Sequence, residues 1–237
     1  MAEKLYFKQL LSGVDFAPDD LLASQMVNFS YLVGDLETRE AVAIDPAYDI
    51  AKITQILEED EMHLTGVLAT HYHPDHVGGD MMGHQIEGVV EVCERFDVPI
   101  HANKAELPWI VRATGIASTS IVEHESADIL KVGRQEIELI HTPGHTPGSQ
   151  CFYVEGRLIA GDTLFLNGCG RTDLPGGDPD EMYLSIHQRL AKISDDTILF
   201  PGHLYSPDPQ ASMGQVRQGN YVFRLNTKDA WMQMFNA

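Results

Sequence analysis

The sequence contains little cysteine. Three occur in 237 residues, Cys93, Cys151 and Cys169, and they show no pairing pattern. An odd, unpatterned set argues against a disulfide framework and fits a reducing compartment. A chain of this length buries roughly 70% of the surface that its unfolded form exposes, so it needs no disulfide bonds to fold. We therefore interpret the cysteines as small buried apolar residues.

Basic residues are also scarce. Lys and Arg total 16 against 35 Asp and Glu, which gives a formal net charge of −19 at pH 7. A surface this acidic repels nucleic acid and anionic lipid, so neither is expected as a partner. A small anionic substrate stays an open alternative, because metal ions and a few Arg side chains could make a local positive pocket.

Long apolar runs are missing as well. No stretch approaches the roughly 20 apolar residues that a membrane span needs. The segment 1–20 carries acidic side chains and lacks the apolar core of a secretory signal peptide. These absences favour a cytoplasmic protein without a membrane partner.

Strand-like and helix-like segments alternate along the chain, which predicts a single α/β domain over 1–237. The expected strands are 29–34 and 41–44, which form a hairpin, and 64–69, 98–102, 136–140, 150–154, 157–160 and 197–200. The expected helices are 50–59, the second part of 83–96, 179–193 and a terminal helix anchored by Trp231 and Phe235. Pro108, Gly115 and the polar run 117–120 predict a lid-like insertion over 104–127, and 205–237 is expected to be a short C-terminal extension.

Four apolar runs each end at a loop that carries His or Asp. The four are the runs before His71, the His145 loop, Asp162 and His203. Residues at strand ends converge on one edge of a sheet, so these distant side chains are expected to become neighbours.

The densest of these loops, 70–76, reads THYHPDH and holds three imidazoles and a carboxylate. Zinc and iron both accept imidazole nitrogen and carboxylate oxygen. His71 and His73 face the same side of an extended chain, whereas Asp75 and His76 follow a proline and can turn towards a second point. One tetrahedral metal needs fewer than four ligands from one loop, so the spacing predicts two adjacent metal sites.

The HxHxDH motif after a strand resembles that of the metallo-β-lactamase superfamily. Later motifs agree with the family in order and spacing: HTPGHTPG at 141–148, GDTLF at 161–165 and PGH at 201–203. IDP at 44–46 is similar to the segment whose buried aspartate supports the metal loop. The resemblance covers nearly the whole chain and implies a four-layer αββα sandwich with the metals at one edge.

The resemblance also implies a ligand set. Matched motif by motif, the ligands are His71, His73 and His145 at site one, Asp75, His76 and His203 at site two, and Asp162 as a bridge. Asp45 and His141 are not expected to bind metal themselves. They are expected to contact ligand residues on the side away from the metals and so orient them. The histidines outside the motifs are not expected to be ligands: His63, His84, His101, His124 and His187.

Two adjacent metals imply hydrolysis. Metal-bound water has a pKa of about 7, and two metals roughly 3.5–4 Å apart hold the resulting hydroxide and polarise a substrate carbonyl. Asp75 is the candidate catalytic residue that orients the nucleophile or moves its proton. This chemistry requires no Ser or Cys nucleophile.

The segment after Asp162 narrows the resemblance. GCGRTD at 168–173 is similar to two glutathione-linked branches, the glyoxalase II thioesterases and the iron persulfide dioxygenases. In both branches a tyrosine two places after the last motif histidine helps to hold glutathione, which implies this role for Tyr205. Arg171 is the candidate partner of a glutathione carboxylate, since a guanidinium fork suits carboxylate geometry. The alternative for Arg171 is a structural salt bridge with Asp173.

Several functions stay open at this stage. The leading hypothesis is a hydrolase of glutathione-type thioesters or related acyl substrates, with two divalent metals of the Zn²⁺ type and Fe or Mn as alternatives. The second is a persulfide dioxygenase with one Fe²⁺ held by the positions of His71, His145 and Asp162. A lactonase or another hydrolase of the same fold is third. The expected partner is a small-molecule substrate, and a homo-oligomer is left open.

Overall fold

Two six-stranded sheets lie face to face in the computed structural model, which describes residues 4–235. The strands in chain order are β1 (Leu5–Leu11), β2 (Phe29–Asp35), β3 (Glu40–Ile44), β4 (His63–Leu68), β5 (Gly79–Met81), β6 (His84–Ile86), β7 (Ile100–Asn103), β8 (Ile121–His124), β9 (Ile129–Val132), β10 (Gln135–His141), β11 (Gln150–Val154), β12 (Arg157–Ile159), β13 (Ile198–Phe200) and β14 (Ala211–Ser212). The first sheet has the order β1-β2-β3-β4-β7-β8 and the second β14-β13-β12-β11-β10-β9. β5 and β6 form a separate hairpin.

Parallel pairing brings several strand ends to one edge of the sandwich. β3 pairs parallel with β4, β4 with β7 and β7 with β8 in the first sheet. In the second sheet, β12 pairs parallel with β13. The segments that follow these strands therefore leave the sheets together, as the sequence pattern predicted.

Helices cover the outer face of each sheet. They are α1 (Leu21–Met26), α2 (Ile50–Glu59), α3 (Pro74–Val77), α4 (Val89–Arg95), α5 (Leu107–Thr114), α6 (Pro179–Leu184), α7 (Met213–Gly219) and α8 (Lys228–Phe235). Ile53 and Leu57 of α2 pack on the first sheet, and Trp231 of α8 packs against the second. None of the helices within 4–235 is both long and apolar enough to cross a bilayer.

Alternate side chains of β2 face different layers of the sandwich. Tyr31 and Val33 point into the core between the sheets, while Leu32 points to the helical layer. Because successive strand residues face opposite sides, a strand buried on both faces reads as a continuous apolar run. The predicted four-layer αββα arrangement and the single domain are confirmed.

The segment 104–127, which the sequence predicts to be a lid-like insertion, has regular structure and is not an open loop. The segment contains α5 and a 3₁₀ turn, and β8 extends the first sheet beside β7. Pro108 lies in the first turn of α5, where a missing N–H costs nothing, and Gly115 ends the helix at a φ of 76°. Both residues delimit a helix and do not break one.

A candidate metal centre

Three histidines converge at the strand-end edge in what we name the imidazole cluster: His71, His73 and His145. The Nδ1 atom of His73 lies 3.0 Å from His71 Nε2 and 2.9 Å from His145 Nε2. Zinc–nitrogen bonds of about 2.0–2.1 Å place tetrahedral ligand atoms roughly 3.3 Å apart. The spacing of the three nitrogens therefore suits a shared metal ion.

A second group adjoins the first, and we name it the carboxylate cluster: Asp75, His76 and His203. Asp75 Oδ2 lies 3.6 Å from His76 Nε2 and 3.5 Å from His203 Nε2. The two imidazole Nε2 atoms are 3.2 Å apart. In each cluster one donor atom per residue lies within 4.8 Å of the others, so each can hold a metal ion.

Asp162 lies between the two clusters. Its Oδ2 is 3.6 Å from His145 Nε2 and 3.4 Å from His203 Nε2, and its Oδ1 is 3.5 Å from His76 Nε2. The Oδ1 atom is buried and makes no hydrogen bond to any residue within 4–235. A buried carboxylate oxygen without a partner is costly, and a metal ion would satisfy it.

Four of the five histidine rings in the two clusters are held by a contact of the ring nitrogen that faces away from the other donor atoms. Their outer nitrogens contact protein oxygens: His71 Nδ1 with Thr70 Oγ1 at 3.0 Å, His76 Nδ1 with Asp45 Oδ2 at 2.9 Å, His145 Nδ1 with the Arg171 carbonyl at 2.7 Å, and His203 Nδ1 with the Met26 carbonyl at 2.7 Å. When each Nδ1–H donates in this way, the inner Nε2 keeps its lone pair for a metal.

Asp45 connects the metal loop to β3. Its carboxylate accepts the Thr70 N–H at 2.7 Å and the Thr70 hydroxyl at 2.5 Å, besides its contact with His76. Asp45 also has a φ of +49°, a conformation that costs a non-glycine residue energy and is kept only where its surroundings enforce it. Asp45 also has a donor atom within 4.8 Å of those of His71 and His76, but both of its oxygens are engaged in these contacts.

Two motif glycines allow the loops to approach one another. A Cβ at Gly202 would lie 2.3 Å from Asp162 Oδ1, and a Cβ at Gly161 would lie 2.5 Å from Thr70 Oγ1. Gly161 also has a φ of +47°. The PGH and GD motifs thus need glycine for packing around the centre.

The histidines of the two clusters differ in their pKa values. In the imidazole cluster, burial and the neighbouring imidazoles hold the pKa of His71 well below its usual value and lower that of His73 to about 4. Burial also lowers the pKa of His145, although Asp162 partly opposes it. These rings are neutral at pH 7 in the metal-free protein.

In the carboxylate cluster the pKa values of the histidines are raised. Burial disfavours a charged His76, but Asp75, Asp162 and Asp45 together raise its pKa to about 10. The pKa of His203 is raised mainly by Asp162, again against burial. Burial likewise opposes ionisation of Asp75, yet His76 and His203 lower its pKa overall. His76 is therefore protonated at neutral pH and lies among buried carboxylates, in contrast to the neutral rings of the imidazole cluster.

A cavity of about 500 Å³ opens over the two clusters. Arg171 and Tyr205 both line it, and the Tyr205 ring stacks on His203 at a centroid distance of 4.7 Å. The Arg171 guanidinium, however, pairs with Asp173 through contacts of 2.9 and 2.7 Å. The salt bridge that the sequence left as an alternative is thus formed in the structure.

The remaining histidines lie apart from the donor groups. His141 Nε2 contacts the Pro147 carbonyl at 2.9 Å, so it braces the loop of His145 without facing the clusters. None of the five histidines outside the motifs joins a donor group in the part of the chain that the structure describes.

Two supporting residues were missed by sequence reasoning. Asn28 is buried, and its Nδ2 donates to both the carbonyl and Oδ2 of Asp75 at 3.0 Å. Glu106 is buried where α5 begins and accepts N–H groups from Tyr72 and Gly148. A lone Asn before a strand carries no signal, and Glu106 lies in the segment 104–127, where the sequence predicts a lid-like insertion and indicates no contact with the metal loops.

Fold and site together define an α/β enzyme that binds metal through His and Asp at one edge of a β-sandwich. The model of the Metallo-beta-lactamase superfamily matches residues 25–203, and the chain belongs to this superfamily.

Relatives include both branches expected from the sequence. The chain is 31% identical to the mitochondrial persulfide dioxygenase ETHE1 of Homo sapiens over 85% of its length and 73% of the relative. It is 32% identical to a probable hydroxyacylglutathione hydrolase of Schizosaccharomyces pombe over 76% of its length and 64% of the relative. It is 27% identical to PksB of Bacillus subtilis, described as a probable polyketide biosynthesis zinc-dependent hydrolase, with 87% and 86% covered.

A solved structure agrees with the fold. The crystal structure of ETHE1 from Myxococcus xanthus has a TM-score of 0.78 and 26% identity and covers 98% of this chain and 90% of its own.

Proposed function

We propose that this protein is a dinuclear metallohydrolase that cleaves thioesters of the glutathione type or related acyl substrates. The observation that carries the proposal is the carboxylate cluster. Its three donor atoms lie within 4.8 Å of one another, and Asp162 reaches histidines of both clusters. One iron held by His71, His145 and Asp162 is compatible with the same motif residues, so the metal content of active protein distinguishes the two functions.

The metals would be held by His71, His73 and His145, by Asp75, His76 and His203, and by Asp162 between them. When bound, divalent ions supply Lewis acidity, which activates water at neutral pH and polarises a carbonyl. Asp75 is ionised because its histidine neighbours lower its pKa, so its carboxylate can accept a proton from attacking water. Asn28 holds that carboxylate in place.

The substrate would enter the cavity over the clusters. Tyr205, which is half exposed beside His203, would contact the thiol-bearing leaving group. Arg171 would meet a substrate carboxylate after leaving Asp173, an exchange that is inexpensive because both side chains are exposed. The hydroxyacylglutathione hydrolase relative supports a glutathione thioester, and the PksB relative supports zinc and a wider range of acyl groups. A cytoplasmic location is part of the proposal.

The test is thiol release from acyl thioesters by zinc-loaded protein. S-lactoylglutathione and simple N-acetylcysteamine thioesters are compared, with a chelator-treated sample as the control. Metal-dependent turnover of either substrate supports the proposal. Fully metal-loaded protein that hydrolyses no thioester would refute it.

A second candidate is an iron persulfide dioxygenase. It is favoured by the human relative of that name and by the position of His145, whose Nε2 lies 3.6 Å from Asp162 Oδ2 and whose ring centroid lies 4.8 Å from that of His71. Oxygen uptake by iron-loaded protein after addition of glutathione persulfide would establish it. If protein that is shown to contain iron takes up no oxygen, the dioxygenase function is excluded.

A further inference from the structure

We propose that Glu106 is a positioning residue that holds two ligand loops of the metal centre together through their backbones. Oε1 of its carboxylate accepts the Tyr72 N–H at 2.7 Å, and Oε2 accepts the Gly148 N–H at 2.6 Å. Tyr72 lies between the ligands His71 and His73, and Gly148 closes the loop of His145. One side chain therefore fixes the backbone on both sides of the imidazole cluster.

The attachment of Glu106 is itself rigid. Its N–H donates to the Asn103 carbonyl at the end of β7, and its own carbonyl accepts from Trp109 and Ile110 in the first turn of α5. Its side chain has no solvent exposure. The Trp109 ring stacks on Tyr72 at 5.1 Å, so α5 holds this loop residue through its ring as well as through its N–H.

Packing at Gly148 points to the same role independently. A Cβ at this position would lie 2.4 Å from the Glu106 nitrogen and 2.7 Å from Oε2. Gly148 thus allows the loop to reach the carboxylate. The hydroxyl of Thr146, next to His145, adds a further hydrogen bond to it.

Another carboxylate of the same chain offers a matched control. Asp35 is also fully buried and also joins two segments, by accepting the N–H groups of Glu37 at 2.8 Å and Arg134 at 2.7 Å. It lies where β2 ends, opposite the start of β3, and so at the far edge of the sandwich from the metal ligands. Asp35 thus joins two segments away from the metal centre, whereas Glu106 joins the two loops that carry His71, His73 and His145.

The experiment compares Glu106→Gln with Asp35→Asn in the full chain. Zinc affinity is measured by chelator competition, and the absorption spectrum of the Co²⁺ form reports ligand geometry. For Glu106→Gln we expect roughly 10- to 100-fold weaker zinc binding at the imidazole cluster and a changed Co²⁺ spectrum, as for other residues that orient ligands. For Asp35→Asn we expect lower resistance to urea with wild-type zinc affinity.

Two results would overturn the assignment: wild-type zinc affinity and Co²⁺ spectrum in Glu106→Gln, or an equal loss of affinity in Asp35→Asn. If Glu106→Gln does not fold, Glu106→Asp replaces it, because the shorter side chain can reach one of the two N–H groups but not both. Wild-type affinity in that variant would also overturn the assignment. Metal affinity requires no substrate, so the result is independent of whether the proposed thioesterase activity is found.

Discussion

The imidazole cluster and the carboxylate cluster use similar ligands but start from different charge states. Burial among other imidazoles keeps His71 and His73 neutral, while three surrounding carboxylates raise the pKa of His76 to about 10. A metal ion needs the lone pair of a neutral ring. The imidazole cluster is therefore ready for a metal at neutral pH, whereas His76 of the carboxylate cluster must first release a proton.

In the proposed hydrolysis, this difference would give each cluster a separate part. Three neutral nitrogens would compensate little of the charge of a divalent ion, so the imidazole cluster, with Asp162 beside it, would favour Lewis acidity. Asp75 brings negative charge into the second cluster, where it can also accept a proton from water. Asp162 contacts both clusters and should couple them.

Removing the shared carboxylate should have the largest effect. Asp162→Ala leaves His145 and His203 without the negative charge between them, so both metals lose a ligand. We expect a fall in thioester turnover of about 10³-fold or more, together with lower metal content measured by elemental analysis. Asp35→Ala, which removes a buried carboxylate at the other edge of the sandwich, is the control. Equal losses in the two variants would mean that the effect is structural.

The metal affinities of the two clusters should depend differently on pH. Because the pKa of His76 is raised to about 10, metal binding there at lower pH displaces a proton, and affinity should rise about tenfold per pH unit for each proton released. The imidazole cluster should respond less to pH in this range, because the pKa of His73 is lowered to about 4 and those of His71 and His145 are also lowered. Chelator competition between about pH 6 and 8 measures both. Parallel slopes for the two metals would contradict the charge difference.

Asn28 offers a way to weaken one cluster alone. Asn28→Ala removes both hydrogen bonds to Asp75 but touches no residue of the imidazole cluster. We expect roughly tenfold weaker binding of the second metal and unchanged binding of the first. Tyr48→Phe, which removes the hydroxyl that donates to Asn28 Oδ1, should have a smaller effect in the same direction. A loss at the first metal site would show that the clusters are not independent.

The smallest effect concerns the substrate cavity. Asp173→Asn frees Arg171 from its exposed salt bridge, and such pairs contribute about 0–1 kcal/mol. KM for an anionic glutathione thioester should fall roughly two- to fivefold with kcat unchanged. Asp195→Asn breaks the exposed pair with Arg217 elsewhere on the surface and should change neither constant. An unchanged KM in Asp173→Asn would argue against a carboxylate-binding role for Arg171.

Local patterns predicted much of the architecture. The helix over 50–59 has the predicted bounds because its apolar spacing is helical and Asp49 caps its first turn. The four ligand loops follow strands because apolar runs of strand length end directly at His or Asp. Neither inference needs knowledge of distant contacts.

Contacts between distant segments could not be predicted in the same way. Asn28 meets Asp75 only after β2 has paired in the first sheet, and Glu106 meets Tyr72 only when α5 folds against the loop. The pKa difference between His73 and His76 also depends on which carboxylates surround each ring. Spacing along the chain identifies the ligands but not their charge states.

Metal stoichiometry tests the central claim most directly. Metal-free protein is titrated with Zn²⁺ by calorimetry at about pH 8 in buffers of different ionisation enthalpy, so that released protons are counted. The account predicts two equivalents of zinc per chain, the first bound without proton release and the second with release of a proton from His76, whose pKa is raised to about 10. Saturation at one equivalent would contradict a dinuclear centre, and proton release on binding the first equivalent alone would contradict the assigned charge states.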